Sequence, residues 1–124
     1  MASVLYYEPL ALMGSGPIAG VCRRFGLEVV PVPRSRTGRS VGFLAGLPGY
    51  PEGPEGPEGG TPPEERTLVF CGVDRDTLDA VLEALKAAGA PPALKAVLTG
   101  ANAAWSFARL VRELSAERRA MGGT

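Results

Sequence analysis

Apolar residues fall into two alternating kinds of run. Short blocks are apolar at nearly consecutive positions: Val4-Leu5-Tyr6-Tyr7, Leu27 to Val32 interrupted by Glu28 and Pro31, Leu68-Val69-Phe70-Cys71, and Leu94 to Leu98 interrupted by Lys95. Between and after them, apolar residues recur at i, i+3, i+4 and i+7: Ile18, Val21, Cys22 and Phe25; Leu78, Val81, Leu82 and Leu85; Phe107, Leu110, Val111 and Leu114. The first pattern predicts strands and the second predicts amphipathic helices with one buried stripe. Punctuation agrees: Pro17 at a helix start, Gly26 and Gly89 at helix ends, Asp74 and Asn102 as caps. Pro31 cannot donate to a ladder, so the second strand is expected at a sheet edge or to end there. Val41 to Leu47 reads as a short helix or compact turn, with Leu44 and Leu47 facing inward.

Strand and helix thus occur twice in the same order, and the stripe at 18/21/22/25 is reproduced at 78/81/82/85. Strands apolar at consecutive positions require cover on both faces. The expected fold is therefore α/β: two βαβ halves plus a C-terminal helix, with a small four-stranded, mainly parallel sheet in a three-layer sandwich. The expected strand order is 2-1-3-4. A ferredoxin-like βαββαβ sheet with an extra C-terminal helix is the alternative. The halves, 1–47 and 67–124, form one domain, consistent with a length of 124 residues. The 48–66 stretch between them holds three Pro-Glu-Gly units and little to bury, so a flexible linker is expected.

Charge changes this picture little. Thirteen basic and thirteen acidic residues cancel, and the pI near 6.3 offers no field for a nucleic acid or an anionic membrane. The excess of acid lies in residues 51–66, with five Glu against one Arg. There is no histidine, which excludes a histidine base, a histidine-containing triad and a His-ligated metal. Cys22 and Cys71 lack metal or redox spacing and read as buried hydrophobes in a reducing, cytoplasmic setting. The first residues do not read as a secretory leader and no apolar run reaches membrane-spanning length, so a soluble, cytosolic chain is expected. No catalytic residue, metal or cofactor is indicated, and an enzyme is not expected.

Two stretches merit a functional reading. Gly14-Ser15-Gly16-Pro17-Ile18-Ala19 fits G-x-G-x-x-A between a strand and a helix. Its glycines come seven residues after Tyr7 and a proline stands at the helix start, so it reads as a loop and cap. The better candidate is Lys95, Thr99, Asn102 and Trp105, with Arg109 and Arg112. On a helical projection Trp105 lies about 160° from Phe107, off the core stripe, on the side of Arg109 and Arg112. Those guanidinium groups could cover the indole. This surface suits a protein partner or a second copy of the chain. The alternative is a small anion held at Lys95, Thr99 and the start of the last helix.

Leu68-Val69-Phe70, Leu78-Asp79, Leu82, Ala88-Gly89, Leu94-Lys95-Ala96-Val97-Leu98-Thr99, Asn102, Trp105, Leu110, Glu113-Leu114 and Glu117 together resemble the bacterial family called domain of unknown function 3783. Gly42-Phe43-Leu44-Ala45-Gly46-Leu47 is similar to a segment of its longer members. Gly100 stands where that pattern has proline, and Arg118 near where it has histidine. The resemblance implies no activity, but gives weight to Lys95, Thr99, Asn102 and Trp105 as matched positions.

Overall fold

A computed structural model describes residues 2–9, 17–50, 52 and 64–122. The glycines of the G-x-G pattern and most of the 48–66 stretch lie outside the described residues. Strands β1 (Ser3–Tyr7), β2 (Glu28–Pro31), β3 (Thr67–Cys71) and β4 (Leu94–Val97) form one sheet in the order β2-β1-β3-β4. Helices α1 (Pro17–Arg24) and α3 (Arg75–Ala87) connect the strands within each half, and α2 (Val41–Leu44) and α4 (Phe107–Gly122) follow the outer strands.

The expected order is found, in a mixed sheet that is parallel at two of its three pairings. β1 and β2 pair in parallel, as do β3 and β4, whereas the central strands β1 and β3 are antiparallel, with Leu5 opposite Val69. Each half also carries a 3₁₀ turn before its last helix, at Arg34–Arg36 and Asn102–Ala104. The order β-α-β-3₁₀-α therefore occurs twice, and the topology is symmetric about the β1–β3 junction. An α-helical crossover makes each βαβ unit parallel, but nothing about that rule fixes how two such units join.

Both central strands are buried along their whole length. Successive side chains of a strand point to opposite faces. Val4 and Tyr6 accordingly join Ile18, Val21, Leu68, Phe70, Val81 and Leu85 in one cluster, with α1 and α3. Leu5 and Tyr7 join Val41, Val69, Phe107, Leu110 and Val111 in another, with α2 and α4. In the second cluster the Tyr7 and Phe107 rings meet edge to face, 5.6 Å between centroids.

β2 lies at an edge and ends at Pro31, as its missing N–H requires. Asp74 caps α3 by accepting from Thr77 N–H, and Gly26 and Gly89 take positive φ just after α1 and α3. Three local expectations differ. Phe25 follows the end of α1 and is exposed, so it is not in the buried stripe. Leu47 is exposed beyond the single turn of α2, while Leu44 packs on the second cluster. The last helix starts at Phe107, not after Asn102, because Ser106 Oγ accepts from Arg109 N–H and supplies the cap.

Candidate functional site

The connection from β4 to α4 places most of the candidate residues. Asn102 closes it upon itself: its Oδ1 accepts from Thr99 N–H at 2.9 Å, its N–H donates to Thr99 Oγ1 at 3.1 Å, and its Nδ2 donates to the Val97 carbonyl at 3.1 Å. Asn102 is nearly buried, so these bonds satisfy amide atoms that water cannot reach. Thr99 and Asn102 are thus brought together as a turn clasp.

Trp105 follows this clasp in extended backbone geometry, φ −78° and ψ 154°, one residue before the cap. Its indole is half-buried against the second cluster, and the Arg109 guanidinium lies over the ring, 4.3 Å from its centroid. Arg109 is exposed on the first turn of α4, and exposed Arg112 follows three residues on. The i, i+4 spacing read from the sequence holds even though Trp105 is outside the helix.

The first half contributes the matching feature. Ser40 and Ser106 form an isolated antiparallel bridge, flanked by Val41 N–H to Trp105 O and Phe107 N–H to Arg39 O, each 2.9 Å. Both serines cap a helix, Ser40 by accepting from Phe43 N–H. Arg39 sits over the Phe43 ring at 5.8 Å and pairs with Glu52, so each half carries an i, i+4 cation–aromatic contact beside the same bridge. The order of cation and ring is reversed between them.

Lys95 stands apart. Leu94 and Ala96 belong to the cluster that Trp105 joins, so strand alternation sends Lys95 to the opposite face, where it is exposed and donates to the Ala93 carbonyl at 3.2 Å. Lys95 and Trp105 therefore do not share one patch.

A polar cluster absent from the sequence reading joins the halves. Glu8 and Arg66 pair through two hydrogen bonds, Nε to Oε1 at 2.6 Å and Nη2 to Oε2 at 3.1 Å, while Tyr6 Oη donates to Glu8 Oε1 at 2.9 Å. The side chains of Arg66 and Glu8 are only 18 % and 10 % exposed. Burial, followed by the neighbouring carboxylate, pushes the Tyr6 phenol up to about 12, and the bonds to Glu8 raise Arg66. Glu8 and Arg66 flank the central pair one step beyond Tyr7↔Thr67, so the antiparallel register sets them opposite each other. The apolar pattern does not fix the direction of the β1–β3 pairing, so this juxtaposition is not legible in the sequence.

Arg118 and Ser115 both engage Glu65, tying α4 to the entry of β3. Cys22 and Cys71 are buried free thiols, and burial raises both. Among the described residues, no group of His, Cys, Asp or Glu is arranged to hold a metal ion, and no helix is long and apolar enough to cross a membrane.

The fold is thus an α/β fold in which two βαβ units share a mixed four-stranded sheet and a C-terminal helix covers part of it. Residues 66–121, which make up its second unit, match the model of the family described as a domain of unknown function, DUF3783. The matched segment takes in β3, α3, β4, the Thr99–Asn102 clasp, Trp105 and most of α4. No curated protein and no solved structure matches the chain.

Proposed function

We propose that the chain is a bacterial, cytoplasmic, non-enzymatic interaction module, one domain throughout, that binds an acidic segment of a protein partner with the Trp105 side of α4. The observation that carries this reading is the Arg109 guanidinium held over a half-buried indole. Tryptophan and arginine are the residue types that most often anchor interfaces, and an indole already seated in the core loses little freedom on binding. Exposed Arg109 brings a positive charge to this surface, which favours carboxylates. The Thr99–Asn102 clasp and the Ser40–Ser106 bridge hold the indole from both sides of the chain. Buried free thiols accord with a reducing compartment, and the family resemblance with a bacterial origin.

Fluorescence anisotropy of a labelled glutamate-rich peptide tests this. Saturable binding is expected, with Trp105→Ala weakening it roughly 30-fold, the effect of an anchor residue worth about 2 kcal/mol. Arg109→Ala acts in the same direction, and Lys95→Ala leaves binding unchanged. Absence of saturation at low salt contradicts the reading.

A further inference from the structure

The face of the sheet that carries α1 and α3 opens beside β4 into a cleft of about 390 Å³. Core residues Leu68 of β3 and Leu85 of α3 form its floor, and the half-buried Leu82 of α3, with Ala90 and Pro92 from the connection to β4, form its open walls. The proline wall is preformed: its ring fixes φ, and Arg66 Nη1 donates to the Pro92 carbonyl at 2.9 Å while Glu8 holds the same guanidinium. Two cations stand at the rim, Lys86 in the last turn of α3 and Lys95 on β4, both exposed. Among the described residues neither lysine meets a carboxylate, and the only bond to either side chain is from Lys95 Nζ to the Ala93 carbonyl. Arg66, the third cation nearby, is already neutralised by Glu8.

An apolar cleft with unpaired positive charge only at its mouth is complementary to a molecule with an apolar body and one anionic end. Its volume is at the small end of the range of about 300–1,000 Å³ typical of ligand pockets. We propose that it binds a small amphipathic monocarboxylate, with the hydrocarbon against Leu82, Ala90 and Pro92 and the carboxylate on Lys86 and Lys95. This site is separate from the Trp105 surface and does not depend on it, since Lys95 and Trp105 lie on opposite faces of the sheet.

Octanoate, titrated into the full chain and followed by protein NMR, is the probe. Saturable shifts are expected for the Leu82 and Ala90 methyls and for the non-proline amides from Lys86 to Lys95, with Trp105 unaffected. Octanol, which lacks the charge, should bind about tenfold more weakly, and Lys86→Ala with Lys95→Ala together should produce a similar loss for octanoate alone. Leu82→Trp, which fills the cleft, should abolish the shifts while the remaining spectrum stays folded. Four results overturn the proposal: no saturation below the micellar concentration; equal binding of octanol; lysine variants that bind octanoate unchanged; or shifts confined to the Lys95 and Val97 amides, the mark of a strand adding to the β4 edge.

Discussion

Gly42 leaves room for a ring. A Cβ built there would stand 2.5 Å from Tyr50 Cγ and 2.9 Å from Cδ1, so Gly42→Ala must displace the tyrosine, at a cost of about 1–3 kcal/mol by urea unfolding. Gly20 is the contrast: it lies in α1 with nothing within 4 Å of the added atom, and Gly20→Ala should stabilise by about 0.5–1 kcal/mol. Gly46, at φ +80°, explains the second glycine of the Gly-Phe-Leu-Ala-Gly segment. The spacing of these glycines was legible, but the reason for Gly42 was not, because the ring that covers it comes from outside the segment. Tyr6 makes a residue-scale prediction of another kind. Its phenol titrates near 10 when unfolded and about 12 when folded, so the unfolded state binds fewer protons between those values. Its contribution is complete below pH 10 and is lost as pH rises toward 12, to a total of about 2–3 kcal/mol. Urea midpoints measured from pH 9 upward should fall in wild type and fall less steeply in Tyr6→Phe; Tyr7, also raised by burial, keeps part of the slope.

The elements with a strong period and a clear cap were the readable ones. α3, with Asp74, its 78/81/82/85 stripe and Gly89, follows from spacing alone, as does the buried stripe of α4. The start of α4 did not, because two residues in the same stretch have cap chemistry and only tertiary contacts choose between them. Ser106 takes the role because its neighbours are fixed across the Ser40–Ser106 bridge, Phe107 N–H donating to the Arg39 carbonyl and the Trp105 carbonyl accepting from Val41 N–H, contacts between residues more than sixty positions apart. Asn102 instead closes the 97–102 turn. The two should respond differently: Ser106→Ala costs about 1 kcal/mol as a lost cap. Asn102→Ala costs about 1–3 kcal/mol because buried turn groups lose their partners. Chemical denaturation of both variants checks this, and equal small losses would contradict the assigned roles. By the same reasoning Arg118→Ala, whose partner Glu65 is paired near the surface, should cost no more than about 1 kcal/mol.

At the scale of the whole molecule, two βαβ units with the same order of elements meet through an antiparallel centre. The repetition was visible in the sequence, and so was the strand order, because the apolar central strands and Pro31 distinguish inside from edge. The direction of the β1–β3 pairing was not visible, since a long connection between the units is compatible with either sense. With it went the Glu8–Arg66 clamp, a site that exists only in the antiparallel register. Glu8→Ala should destabilise by about 3 kcal/mol, because it leaves the Arg66 guanidinium partly buried without its counter-charge. A loss well below 1 kcal/mol would show that the clamp does not hold the halves together. The same meeting of halves puts the Ser40–Ser106 bridge beside the Trp105–Arg109 stack, on which the proposed interaction rests. Because Trp105 is the single tryptophan, its emission reports on that surface without a label. Acrylamide quenching of the full chain should decrease when the glutamate-rich peptide is added, and recover as salt screens Arg109. Quenching that is unchanged at saturating peptide would contradict the Trp105 side of α4 as the binding surface.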